Sequence, residues 1–299
     1  VRLPNCLDYP IGFLGAMKAG YSSVPTSTLL TAKEIIYLAR DSGAEVLVTD
    51  IKTWENLIPM LGELEFLHTI FISGEFKKKK YKNKIKVRHL GPELEKITTF
   101  TDSVNTLAND PAYLVYTSGT TGFPKGVLHA HRALLGRKPA AELWFNFSNS
   151  SDRILQTGKF NWTYVLGSGL MDPLYMGKTV IVHEGKNEAQ GWINLIKKHK
   201  ATIFIGVTTI DRQILQKSNA GRNDVKTLRH CMSAGEHLSD EVFEQWHKRF
   251  ELDIYEAVGM SEFSYYISQN ANMPIRHGSA DFPQPGHDLQ LLDPVRTNQ

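Results

Sequence analysis

Between Tyr113 and Gly126 the chain reads YLVYTSGTTGFPKG, and the nine positions Thr117 to Lys125 hold three threonines, one serine, two glycines and one lysine. Glycines let backbone amides turn inward, hydroxyls add donors and a lysine adds a cation, so a loop of this make-up suits a chain of phosphates. It is not a G-x-x-x-x-G-K-[ST] loop, because Lys125 stands between Pro124 and Gly126. An ordinary polar turn would not place hydroxyls, glycines and lysine together in this way. A second segment, SAGEHL (Ser233 to Leu238), puts a glycine where a flat ring could lie on backbone and a glutamate where it could accept from an amino group. Taken alone, it also reads as a plain strand-to-helix turn.

The elements that must carry these residues emerge from composition and periodicity. A chain of 299 residues with 41% hydrophobic and 22% charged content is globular rather than disordered or fibrous. No apolar run exceeds six residues, against the roughly 18 a spanning helix needs, so no membrane span is expected. Thirty-four Lys+Arg against 31 Asp+Glu leave a net charge of +3, too small to announce a nucleic-acid partner. The seven lysines between Lys77 and Lys86 come with only Tyr81 as a stacking residue, which points to a solvated loop or a protected edge strand. Two distant cysteines, Cys6 and Cys231, and no recognisable leader argue for a reducing compartment, with the cytoplasm as the default.

Short β-branched runs alternate with segments of helical period. Thr31 and Glu34 form a capping-box pattern at the head of a helix from about Ala32 to Arg40, and EVLVTD comes next as a strand. Later, TVIVHEG, ATIFIGV, LRHCMSAG and LDIYEAVG read as strands, with AQGWINLIKKHK, TTIDRQILQKS and a segment introduced by Ser239 as helices. This βα alternation predicts an α/β fold with doubly wound, mostly parallel sheets and ligands at the carboxyl ends of the strands. The polar stretch Thr99 to Asp110 marks a junction between a first subdomain, residues 1–109, and a second, residues 110–299. Both ends look cut: VRLPN reads as the tail of a strand running into a helix near Cys6, and HDLQLLDPVRTNQ holds an alternating strand pattern and then stops.

Tyr116 to Gly126 fits YTSGTTGxPKG at every position, and on that motif the chain resembles the adenylate-forming superfamily, which includes acyl-CoA synthetases, peptide-synthetase adenylation domains and luciferases. The resemblance implies the large N-terminal domain of that fold, without its small C-terminal domain. It implies that Thr117, Ser118, Gly119, Thr120, Thr121, Gly122 and Lys125 line the path of the ATP β- and γ-phosphates. Ala234, Gly235 and Glu236 of SAGEHL would approach the adenine. YEAVGMSE (Tyr255 to Glu262) resembles a segment ending Y-G-x-T-E, which implies Ser261 on the α-phosphate, Gly259 and Met260 beside it among the nucleotide-binding residues, and Glu262 as the Mg²⁺ ligand. Val258 stands where many members place a tyrosine, an aliphatic choice similar to that of the benzoate-type ligases. KFNWTYVLGSGLMDPLYMG resembles the aromatic border of the acyl pocket, with Trp162 and Tyr164 as wall or gate, and Val207 of IGVTT would touch the acyl group although Thr208 replaces a proline usual there.

The implied chemistry is attack of a carboxylate on the ATP α-phosphorus, with Lys125, Thr121 and Glu262 among the groups that neutralise charge, followed by transfer to coenzyme A. The implied partner is a small carboxylic acid, and a homodimer is compatible with the sequence. An adenylation domain that loads a carrier protein and a non-catalytic nucleotide-binding module remain as alternatives. The histidines His129, His131 and His237 read as structural or capping residues rather than as a general base, with His131 where the helix after the phosphate loop should start.

Overall fold

The computed structural model describes residues 1–75, 84–117, 123–186, 188–276 and 278–292. The chain divides into two compact units, one made of Val1–Ala133, Gly158–Leu166 and Val182–Gly185, the other of Leu134–Thr157, Gly167–Ile181 and Lys186–Gln299.

In the first unit, β1 (Val46–Asp50), β2 (Thr69–Ser73) and β3 (Lys86–His89) form a parallel sheet in that order. The helix Ala32–Asp41 begins at the expected capping box: the Thr31 amide donates to Glu34 Oε2 at 2.7 Å, and the Glu34 amide donates to Thr31 Oγ1 at 3.4 Å. Its Ile35 and Ile36 bury into a core with Trp54, Leu57, Ile70 and Ile72. The helix ends where Gly43 takes φ 62°, a left-handed turn that glycine enters at no steric cost. Arg2 bridges to Thr49 in parallel, so the opening residues extend this sheet, and the first helix starts at Asp8. β3 is the edge strand that begins at the last lysine of the run, and residues 77–83 of that run lie outside the described residues. The same unit contains an antiparallel hairpin of β4 (Pro111–Thr117) and β5 (Lys125–Ala130).

The second unit is built on seven strands: β6 (Arg153–Gln156), β7 (Thr179–Ile181), β8 (Ile203–Gly206), β9 (His230–Ala234), β10 (Ile254–Met260), β11 (Ser264–Ser268) and β12 (Phe282–Pro283). Their order is β12-β11-β10-β9-β8-β6-β7, parallel from β7 to β10 and antiparallel beyond. The helices Ala189–His199, Thr208–Lys217 and Asp240–Phe250 supply the crossovers that parallel neighbours require. Trp192, Ile214, Trp246 and Phe250 from these helices pack on Phe204 and Cys231 of the sheet. Every residue of β8 and β9 is buried, the continuous pattern of central parallel strands.

The chain lays down β6, then β7 on one side of it, then β8 on the other. Strand order therefore reverses beside β6, the position at which open parallel sheets leave a crevice at their carboxyl ends.

One element is added and two expectations change. KGVLHA, unassigned from sequence, pairs residue for residue with β4 from Thr117↔Lys125 to Tyr113↔His129, so the two ends of the phosphate loop meet in a hairpin, and the helix expected near His131 begins at Ala133. TVIVHEG contributes only Thr179–Ile181, since β6 offers three residues, Arg153 to Leu155, to pair with. The pattern in HDLQLL is no strand: among the described residues nothing pairs with His287–Leu292, and an alternating pattern becomes a strand only where a neighbour completes the ladder.

Candidate nucleotide and acid site

In the first unit the ends of the hydroxyl-rich loop are fixed by backbone and by one helix. Thr117 and Lys125 are direct partners in the β4–β5 ladder, so the loop leaves from and returns to adjacent points. Gly126, opposite Tyr116, lies so close to β4 that a Cβ there would stand 2.9 Å from Leu114 Cδ1. Tyr37 and Asp41 share one face of the helix Ala32–Asp41, four residues apart. Tyr116 donates its hydroxyl to Asp41 Oδ2 at 2.5 Å, and Tyr37 donates to the Pro124 carbonyl at 3.4 Å while its ring stacks on Phe123, 5.2 Å between centroids. Partial burial and then the Asp41 carboxylate push the Tyr116 phenol well above its ordinary value, so it stays a proton donor. Lys125 is exposed at the mouth of the loop. Ser118, Gly119, Thr120, Thr121 and Gly122 lie outside the described residues.

The first unit also holds Trp162 and Tyr164, whose rings meet edge to face at 5.3 Å. Tyr164 is buried at 8% exposure, whereas Trp162 is 42% exposed, so it is Trp162 that offers an open aromatic surface. His129 is buried and stacked on Tyr113 at 4.5 Å, a packing role.

In the second unit, β9 and β10 are parallel neighbours with Ala234, the last residue of β9, opposite Ala257, three residues before the end of β10, so the segment after Ala234 leaves beside β10. Ala234 ends β9 buried, and Gly235 (φ 91°) then turns the chain out, leaving Gly235, Glu236 and His237 exposed. This segment is anchored twice. Thr209 donates to Glu236 Oε2 at 2.7 Å and Thr208 to the Glu236 carbonyl at 3.3 Å, both from the first turn of the helix Thr208–Lys217. The Leu238 amide donates to Glu256 Oε1 at 2.9 Å, and Glu256 also faces His237 Nδ1 at 3.5 Å. Glu256 and Thr209 lie within the quoted segments YEAVGMSE and IGVTT, but the sequence assigns neither a role, because each acts only through a neighbour that the fold supplies. Val207 caps that same helix in extended conformation, at the carboxyl end of β8 beside the strand-order reversal.

β10 and β11 are joined by the turn that carries Ser261 and Glu262. The ladder shifts register between Val258 and Gly259, a bulge that re-aims the turn beyond it. A Cβ on Gly259 would stand 2.6 Å from the Ser264 carbonyl oxygen, so only glycine allows this close pairing. Val258 and Met260 are 40% and 45% exposed, and Glu262 is exposed on the turn. Glu262 is a single carboxylate on a fixed turn, and among the described residues no three His, Cys, Asp or Glu gather to hold a metal unaided. That donor set fits a Mg²⁺ ion brought in on nucleotide phosphates rather than one caged by protein.

A family model described as "AMP-binding enzyme" matches residues 1–298. The chain belongs to the AMP-binding enzyme family. Among curated relatives of this family member, the benzoate–CoA ligase of Thauera aromatica is 29% identical over 290 residues, 96% of this chain and 53% of that protein. The mitochondrial acyl-coenzyme A synthetase ACSM3 of Mus musculus is 28% identical over 98% of this chain and 50% of its own length. The solved structure of the anthranilate CoA ligase AuaEII with anthranoyl-AMP superposes with a TM-score of 0.87 at 28% identity, over 98% of this chain and 57% of that one. A benzoate CoA ligase from Burkholderia xenovorans LB400 gives a TM-score of 0.82 at 25% identity, over 98% of this chain and 57% of that one. The chain spans about half the length of the curated relatives it matches. Among the described residues no helix is long and apolar enough to cross a membrane.

Proposed function

We propose that this chain carries the nucleotide- and acid-binding part of an AMP-forming acid–thiol ligase that activates a carboxylic acid with ATP and passes it to coenzyme A. The observation that carries this reading is the Ala234↔Ala257 register, which sets the end of β9, where the Gly235–Glu236 segment leaves, beside the stretch of β10 that runs on into Gly259–Ser261, at the carboxyl ends of parallel strands. Ala234 and Gly235 offer a flat backbone to the base, with Glu236 held by Thr209 and so oriented in advance. Met260 and Ser261 approach the α-phosphate, and Glu262 meets the Mg²⁺ that neutralises phosphate oxygens. Thr117, Ser118, Gly119, Thr120, Thr121, Gly122 and Lys125 take the β- and γ-phosphates, where inward amides and a cation stabilise the charge that builds as pyrophosphate departs.

The acid is an aromatic one in this reading. The similarity to benzoate and anthranilate ligases, the aliphatic Val258 and the exposed ring of Trp162 support a flat, apolar substrate. Trp162, Tyr164 and Val207 are its proposed walls. The test is calorimetric titration of the chain with ATP and Mg²⁺, with and without benzoate, alongside pyrophosphate exchange. ATP binding strengthened by benzoate, with exchange far slower than in the double-length relatives, is the expected result. Binding indifferent to Mg²⁺ and to every aryl acid tried would sink the reading.

A further inference from the structure

We infer that the buried Arg137–Asp172 pair is a positioning device for the turn that carries Ser261 and Glu262. Both residues lie in the second unit; Arg137 belongs to no segment assigned to ATP or to the acid, and Asp172, although within the segment that resembles the acyl-pocket border, is not among the residues proposed to touch the acid. Arg137 is 5% and Asp172 1% exposed, and the guanidinium meets the carboxylate in a two-pronged pair, Nε to Oδ1 at 2.7 Å and Nη2 to Oδ2 at 2.6 Å. A third nitrogen, Nη1, donates to Ser264 Oγ. The guanidinium also lies 5.1 Å from the centre of the Tyr265 ring, with Nη2 3.5 Å from its hydroxyl. The backbone makes room for this: a Cβ on Gly167 would stand 1.7 Å from Nη2.

Ser264 is the residue that the turn depends on. Its φ is 67°, a left-handed conformation that a serine enters at a cost and keeps only where its surroundings hold it. It pairs with Met260 across the β10–β11 ladder, and its carbonyl is the atom against which Gly259 is packed. Three residues, Ser261, Glu262 and Phe263, hang between these two partners. An ion pair that only needed to be satisfied could have been closed by Asp172 alone. Here the third prong of the guanidinium reaches the strained residue at the base of the turn. Asp172 orients Arg137, Arg137 holds Ser264, and Ser264 sets where the Glu262 carboxylate points.

This rests on the proposed role of the turn in binding Mg·ATP, so the test has an arm that does not. Ser264→Gly keeps the left-handed φ without strain and deletes the Cβ together with the hydroxyl that Arg137 meets; Arg137→Met and Asp172→Leu break the pair, and Arg137→Met with Asp172→Leu removes both charges together. Amide hydrogen exchange is measured along the chain, and Mg·ATP affinity by calorimetry. Ser264→Gly is expected to speed exchange at Gly259–Ser264 by tenfold or more, with β8 and β9 unchanged and the unfolding midpoint preserved, and to weaken Mg·ATP about tenfold. The double variant is expected to fold and to show the same local loosening. Exchange in the turn equal to wild type in Ser264→Gly overturns the inference, as does loosening spread evenly over the sheet. A wild-type chain that binds no nucleotide defeats the functional reading alone, because the exchange arm still decides whether Arg137 and Ser264 fix the turn.

Discussion

Asp211 replaced by asparagine should change how stability depends on pH. Asp211 lies in the first turns of the helix Thr208–Lys217, 1% exposed, over Gly206, where a Cβ would stand 2.3 Å from its Oδ1. Burial pushes its carboxyl up to about 8; the Ser233 hydroxyl tempers the rise, though neither that oxygen nor Asp211 Oδ2 completes a hydrogen bond. In the unfolded chain the same group titrates near pH 4. Between those values the folded state keeps a proton that the unfolded state has lost, so stability falls as pH rises and levels off above pH 8. About four units at 1.36 kcal/mol each set a ceiling on the order of 5 kcal/mol for the whole window. Asp211→Asn carries no titrating group. Urea unfolding at pH 5, 7 and 9 should find the variant ahead of wild type by about 4 kcal/mol more at pH 9 than at pH 5. A difference between the two proteins that stays constant over this range would refute the reasoning.

Gly259→Ala forces a methyl against the Ser264 carbonyl, so we expect a loss of about 2 kcal/mol or more and disappearance of the thermal shift given by Mg·ATP, read by scanning calorimetry. Tyr116→Phe removes the hydroxyl that meets Asp41; stability should drop by about 1 kcal/mol in urea titration while ATP affinity falls, and unchanged affinity would separate the stem of the loop from phosphate binding. Thr31→Ala deletes the capping box and should cost about 1 kcal/mol with ATP affinity unchanged, a control that separates general destabilisation from an effect on the site. Trp162→Ala should weaken benzoate more than acetate in competition titrations, and equal losses for both acids would remove Trp162 from the pocket.

What was legible in the sequence was local. Capping at Thr31 and Glu34, the period of Ala189–His199 and Asp240–Phe250, and the apolar runs of β8 and β9 all express short-range preferences that tertiary packing then reinforces. KGVLHA carries no clear strand pattern of its own, and only the partner strand β4 turns it into the ladder of β5. The functional motifs were legible because they carry unusual residue types in one stretch. Their supports were not. Thr209, Glu256, Asp41 and Arg137 are ordinary in sequence and acquire roles only through neighbours 18 to 127 residues away.

The helix Ala32–Asp41 reaches the two ends of the hydroxyl-rich loop across 75 and 87 residues of chain. Such contacts form only after the intervening segment has been closed up, and that closure costs entropy before any contact rewards it. The β4–β5 hairpin can therefore assemble early and alone, while its brace arrives with the rest of the first unit. During refolding, the ladder amides of the hairpin should gain protection before the Tyr116 hydroxyl finds Asp41, so a chain halted midway would own the loop without the grip that steadies it.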